Sequence, residues 1–311
     1  MKHYSVLLNE TIEQLNIKPD GIYVDGTLGR GGHSSLILSK LTTGHLYCFD
    51  LDEQAIEESR GRLESISSNF TIIHSNFENM SEELLKYGVK KVDGIVLDLG
   101  VSSPQFDQAD RGFSYRMDGP LDMRMDQSQE LTAEIIVNEY SYEELVRILY
   151  RYGEESFAKQ IARSIEKNRA SKRITTTFEL VEVIKQALPA KVLKQKGHPA
   201  KQSFQAFRIA VNRELDALER VVEKSLGLLN KNGRCAIITF HSLEDRMVKT
   251  MFKEASTVDM PSRRMPLTQA ELPQADFEVV TRKPILPSQE ELDENRRSHS
   301  AKLRVIERKG E

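Results

Sequence analysis

Between Gly21 and Gly100, short runs rich in β-branched and aromatic residues alternate with stretches whose apolar residues recur every three or four positions. That rhythm predicts a parallel α/β sheet whose strands are linked by helices. Ile22 to Asp25, His45 to Asp50, Phe70 to His74 and Gly94 to Leu99 are the predicted strands, with helices over Ser34 to Leu41 and Glu53 to Ile66. Each helix is long enough for a right-handed crossover, so the region is half of a doubly wound sheet.

After Asp98 the strand rhythm stops for a long interval. A Gly/Asp/Arg/Met-rich loop, Pro104 to Asp126, leads into helical patterns, one of them opened by the capping-box string Ser141-Tyr142-Glu143-Glu144. Glu154 to Asn168, Thr177 to Leu188 and a long amphipathic stretch from Ser203 to Leu229 follow, punctuated by Pro189 and by Gly197-His198-Pro199. Strand signals return at Arg234 to Phe240, and beyond a helix (Leu243 to Ala255) come strands at Phe277 to Arg282 and Lys302 to Glu307. The pattern predicts an α/β, doubly wound, mostly parallel seven-stranded sheet with an antiparallel edge and an all-helical inserted domain. The expected domains are residues 1–103 with 204–311 as a cofactor-binding core, and residues 104–203 as the insertion.

Composition is that of an ordinary globular chain: 311 residues, 39% hydrophobic, with 44 Lys+Arg against 47 Asp+Glu. The N-terminus lacks a signal-type apolar run, and no stretch approaches the roughly 18 to 20 apolar residues of a membrane span. Cys48 and Cys235 each sit in an apolar run without metal-ligand spacing, which suits buried thiols in a reducing cytoplasm and predicts no metal site. The net charge of −3 hides an uneven distribution: residues 1–100 and 101–150 each carry −6, residues 151–215 carry +8 and the remainder +1. A concentrated basic stretch keeps a nucleic-acid partner open.

The first strand ends in Asp25-Gly26-Thr27-Leu28-Gly29-Arg30-Gly31-Gly32-His33 and runs straight into a helix. Glycines there let the backbone pass close to a ligand. Ser34 stands where a dinucleotide fingerprint counted from Gly29 needs its last glycine, and no Gly-Lys-Ser/Thr follows, which argues against a P-loop. Asp50, 21 residues beyond Gly29, ends the second strand, where a carboxylate can accept both hydroxyl hydrogens of an adenosine ribose. Asp52 and Glu53 read as charges at the start of the next helix. Asp98-Leu99-Gly100-Val101-Ser102-Ser103-Pro104-Gln105 places an acid and a turn at the carboxyl edge of a central strand, the crevice where ligands bind in such sheets. From these residues alone, NAD and S-adenosylmethionine both remain open.

The glycine turn at Asp25, the strings Leu97 to Gln105 and Arg111-Gly112-Phe113-Ser114, the stretch Asp118-Gly119-Pro120-Leu121-Asp122-Met123-Arg124-Met125-Asp126, Phe204-Gln205-Ala206, and Phe240-His241-Ser242-Leu243-Glu244-Asp245-Arg246 together resemble the bacterial RsmH/MraW family. The resemblance runs from His3 to Arg308, and the Asp118 to Asp126 string is its most specific part. It implies an S-adenosylmethionine-dependent enzyme that methylates the exocyclic N4 amine of a cytidine in small-subunit ribosomal RNA. It further implies that Gly31, Gly32 and His33 hold the methionine part of the cofactor, Asp50 its ribose, and Phe77, Asp98 and Gln105 the rest of the pocket. Two strings depart from the family pattern. Lys201-Gln202-Ser203 stands where Lys-Arg-Thr is expected, and Asn295-Arg296-Arg297-Ser298-His299-Ser300 has His299 where an arginine is expected.

An exocyclic amine is a weak nucleophile because its lone pair is delocalised into the ring. Asp98 and the loop to Pro104 are therefore expected to supply acceptors that localise it, with Asp98 catalytic. A base doing such chemistry must leave its stack, and Phe113 or Tyr115 is expected to stack on it. Lys191, Lys194, Lys196 and Lys201, with Lys167, Arg169, Lys172 and Arg173, are expected to grip phosphates. The expected partner is small-subunit ribosomal RNA within an assembled or assembling subunit, the protein acting in the cytoplasm as a monomer or homodimer without a membrane. Two competing readings are a nicotinamide-dependent oxidoreductase using Gly29 and Asp50, and a non-catalytic RNA-binding or assembly module that keeps a cofactor pocket.

Overall fold

The computed structural model describes residues 5–100, 108–258 and 274–310. The chain divides into two compact units, residues 1–100 with 217–311, and residues 101–216.

In the first unit, α1 (Leu8–Leu15) precedes a Rossmann-like alternation of β1 (Ile22–Asp25), α2 (Gly32–Leu38), β2 (His45–Asp50), α3 (Glu53–Glu64), β3 (Phe70–His74), α4 (Met80–Lys86) and β4 (Val92–Asp98). The second unit contributes α5 (Ala133–Glu139), α6 (Tyr142–Gly153), α7 (Ala158–Arg169), α8 (Thr177–Ala187), the single turn α9 (Ala190–Leu193) and α10 (Lys201–Asn212). The chain then returns through α11 (Glu214–Leu228), β5 (Leu229–Thr239), α12 (Ser242–Ala255), β6 (Phe277–Val279), α13 (Gln289–Glu294) and β7 (Lys302–Arg308).

Among the described residues the sheet has seven strands in the order β3-β2-β1-β4-β5-β7-β6, with β7 antiparallel to both neighbours. The predicted doubly wound sheet with an antiparallel edge is therefore observed. Alternation along each strand splits the apolar residues between two faces. On β4, Ile95 and Leu97 join Met80, Leu218, Val221 and Phe252 on one side, while Val96 joins Ile37, Ile56 and Leu63 on the other. Both cysteines are fully buried, one on each face. The strand order puts β1 beside β4, so the crevice at their carboxyl ends is the switch point of the sheet.

The helical unit has its own core, in which Ile136, Leu145, Leu149, Ile161, Ile165, Leu180 and Ile184 meet Phe204, Phe207 and Val211. The capping box of Ser141 and Glu144 opens α6 as its string predicts, and an unpredicted one, Thr176 with Glu179, opens α8. Glu154 adopts the left-handed conformation that ends α6, so the helix expected from Glu154 begins instead at Ala158.

Two further expectations require correction. The single helix expected over Ser203 to Leu229 is broken at Arg213, which takes φ 49° and ψ 38° and caps α10 through its amide to the Ile209 carbonyl. The second domain boundary falls at 216/217 rather than at 203/204, because Phe204, Ala206, Phe207 and Val211 pack into the helical core.

Candidate functional site

The turn after β1 is built around Asp25. Its carboxylate is 1% exposed and accepts from the Thr27 amide at 3.0 Å and the Ser34 hydroxyl at 2.6 Å, tying both ends of the turn together. Ser34 thus occupies the missing glycine position of the dinucleotide fingerprint for a physical reason: its hydroxyl closes the loop onto a buried acid. Gly31 lies at φ 71°, in the left-handed region that favours glycine, and introduces α2. A Cβ on Gly32 would lie 1.7 Å from Ser5 Oγ, so the N-terminal arm closes directly on that glycine.

At the end of β2, Asp50 accepts from the Gly29 amide through Oδ2 at 2.7 Å and from the Asp52 amide through Oδ1 at 2.9 Å. Burial pushes its carboxyl above the usual carboxylate range, opposed by those amides. Each oxygen keeps a further lone pair, the acceptor set that two neighbouring hydroxyls require. Asp52 caps α3 by accepting from Gln54 and Ala55, as a helix-start charge should.

Asp98 ends β4. Its amide donates to Thr27 Oγ1 at 2.7 Å, and Oδ2 lies 3.9 Å from His33 Nδ1. Oδ1 is buried and has no hydrogen-bond partner among the described residues. Burial, reinforced by the negative charges of Asp25, Glu244 and Glu291, pushes the carboxyl up to about 8. His33 is 4% exposed, and its Nε2 lies 3.1 Å from the Val6 carbonyl, an acceptor that requires the imidazole proton on Nε2. Burial holds its pKa below the ordinary histidine value, so the ring is neutral and Nδ1 faces Asp98 as an acceptor.

An orphaned buried carboxylate oxygen among further acids is suited to a cationic group and opposed to a pyrophosphate. Phe77 opens a 3₁₀ turn after β3, and its Cβ lies 3.4 Å from the position a Gly26 Cβ would take, which puts this half-buried residue beside the glycine turn. Gly31, Gly32, His33, Asp50, Phe77 and Asp98 are therefore grouped around one end of the sheet. Gln105 and the Ser102 to Pro104 turn lie outside the described residues.

Residues not singled out individually from the sequence complete this end of the unit. Glu244, 4% exposed, accepts from the Phe240 and His241 amides at 2.8 and 3.2 Å as the acid of the capping box that opens α12. Glu291 accepts from the Leu7 amide, 284 positions away, a separation that leaves no local signal in the sequence.

The helical unit sorts the predicted RNA-contacting residues. Phe113 is 3% exposed and belongs to the helical core, so the expectation that its ring stacks on a base is corrected. Tyr115 is stacked on His198 at 4.3 Å and meets Phe204 edge-on at 5.8 Å, which occupies one face of its ring. Arg169 donates to the Val137 and Tyr140 carbonyls, Lys172 pairs with Glu179, and Arg173 pairs with Glu134 and Glu139. Those cations are committed within the unit. Lys191, Lys194, Lys196 and Lys201 are exposed and have no ion-pair partner among the described residues.

The Asp118 to Asp126 string is likewise tied to its own unit. Arg124 forks onto both oxygens of Asp122 at 2.9 and 2.8 Å and donates to the Gln127 and Gln129 carbonyls. Asn212 donates to the Met123 carbonyl and accepts from the Met125 amide. This stretch therefore knits a loop to α10.

Known proteins resemble this chain along nearly its whole length. The model of the MraW methylase family matches residues 1–309. Ribosomal RNA small subunit methyltransferase H of Limosilactobacillus fermentum is 56% identical over 309 residues, covering 98% of each chain. Among solved structures, a protein described as an rRNA methylase from Clostridium thermocellum aligns with a TM-score of 0.45 at 13% identity over 99% of this chain and 100% of its own. An rRNA methylase from Streptococcus thermophilus gives 0.39 at 14% identity, over 96% and 92%. With a family match along nearly its whole length and more than half its residues shared with a curated relative, the chain belongs to the MraW methylase family.

Proposed function

We propose that this protein is an S-adenosylmethionine-dependent methyltransferase that methylates the N4 amine of a cytidine in small-subunit ribosomal RNA. The observation that carries the cofactor choice is the buried, unpartnered Oδ1 of Asp98 among Asp25, Glu244 and Glu291. A sulfonium and an ammonium are favoured in that crevice, and the two phosphates of a nicotinamide dinucleotide are repelled. Ribosomal RNA as the substrate is supported by the function of the L. fermentum relative, and the cytidine amine by the motifs that resemble the family.

When bound, S-adenosylmethionine supplies a methyl group already activated on sulfur. The work left to the chain is alignment, exclusion of water and disposal of one proton. Asp50 holds the ribose hydroxyls, and Gly31 and Gly32, whose missing side chains leave room for Ser59 and Ser5, shape the turn that meets the methionine part. His33, neutral with its proton on Nε2, offers Nδ1 beside Asp98. A cationic cofactor beside Asp98 would lower its raised pKa, and the ionised carboxylate would then accept hydrogens at the reaction centre. Transfer would form the nitrogen–carbon bond as the methyl–sulfur bond breaks, its electron pair returning to sulfur to leave a neutral thioether, and the acidic nitrogen would give its proton to a carboxylate or water without a strongly tuned base.

Lys191, Lys194, Lys196 and Lys201 of the helical unit are the phosphate contacts of this reading, within an assembled or assembling small subunit. Tyr115, with one face taken by His198, is the remaining aromatic candidate for stacking on a base. In the described residues no helix is long and apolar enough to cross a membrane.

The test is to incubate the purified protein with methyl-labelled S-adenosylmethionine and either small subunits or naked ribosomal RNA from cells lacking the activity, then identify labelled nucleosides. Label in N4-methylcytidine is expected from subunits. Cofactor binding with label in neither substrate would favour the binding-module reading.

A further inference from the structure

The peptide unit between Val6 and Leu7 is gripped at both ends by side chains distant in sequence. Its carbonyl accepts from His33 Nε2 at 3.1 Å, and its N–H donates to Glu291 Oε1 at 3.0 Å. Ser298 Oγ donates to the same Oε1 at 2.6 Å and fixes the carboxylate in place. Leu7 itself lies at φ 51° and ψ 36° with its side chain fully buried. A left-handed leucine persists only where its surroundings over-determine it. Here the restraint is Glu291 on one side of the peptide and His33 on the other.

From these contacts we infer that Glu291 is a positioning residue for cofactor binding, acting through the Val6–Leu7 peptide to fix the tautomer and orientation of His33. The inference rests on the S-adenosylmethionine reading above. A carboxylate that accepts an amide hydrogen polarises the peptide and strengthens its carbonyl as an acceptor. A carbonyl can only accept, so it keeps the imidazole proton on Nε2 and turns Nδ1 toward Asp98, 3.9 Å away. The same arm places Ser5 against Gly32. Without an acceptor at position 291, the Leu7 amide is left unsatisfied in a strained turn, and the arm that orients His33 loses its anchor.

The experiment uses the full chain, with S-adenosylhomocysteine binding by calorimetry, thermal unfolding and long-range ¹⁵N–¹H spectra of the histidines. Glu291→Ala is expected to weaken S-adenosylhomocysteine about tenfold or more, equivalent to about 1.4 kcal/mol. It should also replace the single Nε2–H signature of His33 by a tautomer mixture. Glu291→Gln, whose side-chain oxygen can still accept both hydrogen bonds, is expected to bind within about threefold of the wild-type protein.

Binding by the alanine variant within about twofold of wild type overturns the inference. So does an unchanged His33 tautomer, or a glutamine variant as weak as the alanine one. If Glu291→Ala does not fold, Ser298→Ala leaves the carboxylate in place but frees it to rotate. That variant is expected to weaken binding about threefold, and unchanged affinity overturns the inference. Absence of S-adenosylhomocysteine binding by the wild-type protein removes the cofactor reading itself.

Discussion

The amide of Gly29 donates to Asp50 Oδ2 at 2.7 Å, so the glycine turn after β1 and the acid that ends β2 are one preorganised element. The cofactor does not have to order either partner. Asp50→Ala removes both the ribose acceptor and the restraint on the turn. A hydrogen bond to a charged group contributes about 1.5–3 kcal/mol, so affinity for S-adenosylmethionine is expected to fall roughly 10- to 100-fold. Calorimetric titration checks it; unchanged affinity would place the ribose elsewhere.

Asp98 trades stability for function. Its folded-state pKa of about 8 lies far above the ~3.9 of an unfolded aspartate. The unfolded chain therefore loses this proton first as pH rises, and the folded state is progressively penalised between about pH 4 and 8. Asp98→Asn removes that penalty, which is on the order of a few kcal/mol at neutral pH. In the absence of cofactor the variant is expected to melt several degrees above the wild-type protein at pH 8, with a much smaller gain at pH 5. Turnover should fall roughly a hundredfold, the scale of losing one preorganised electrostatic contact. Equal melting temperatures at pH 8 would show that the carboxyl carries no such penalty.

The basic surface is defined more sharply by ion pairing than by composition. Neutralising Lys191, Lys194 and Lys196 together removes three cations with no intramolecular ion-pair partner among the described residues. On single-stranded RNA, the slope of log affinity against log salt is expected to fall in magnitude by about 2. Arg173→Gln is the internal control. That guanidinium is held by Glu134 and Glu139 at 2.7 and 2.9 Å, so the slope should not change. Filter binding across a salt series distinguishes the two; equal slopes for all variants would relocate the footprint.

The sheet was legible because its parallel strands are short apolar runs, three of which, β1, β2 and β4, close on an acid at Asp25, Asp50 and Asp98, and strand ends of that kind are where ligands meet such sheets. What escaped reading has no periodic signature. Phe113 lies in a loop, where neither the 2-residue nor the 3.6-residue rhythm reports burial, and only the packed core shows that its ring faces inward. Arg213 interrupts a helix through one backbone conformation while the amphipathic pattern runs on across it. The bond between Glu291 and Leu7 joins opposite ends of the chain.

The break at Arg213 also decides what folds by itself. Phe204 and Phe207 are 3% and 0% exposed, and each belongs to the helical core. Losing one buried phenylalanine side chain costs about 3–5 kcal/mol, against a total stability of about 5–15 kcal/mol for a typical domain. A fragment ending at residue 203 loses both, together with Val211 and the Asn212 bonds that fasten the Met123 loop. The fragment 101–216 is therefore expected to unfold cooperatively on heating, followed by circular dichroism, whereas 104–203 should show little helix and no sharp transition. A cooperative transition in the shorter fragment would mean that α10 packs onto a helical core that is already complete.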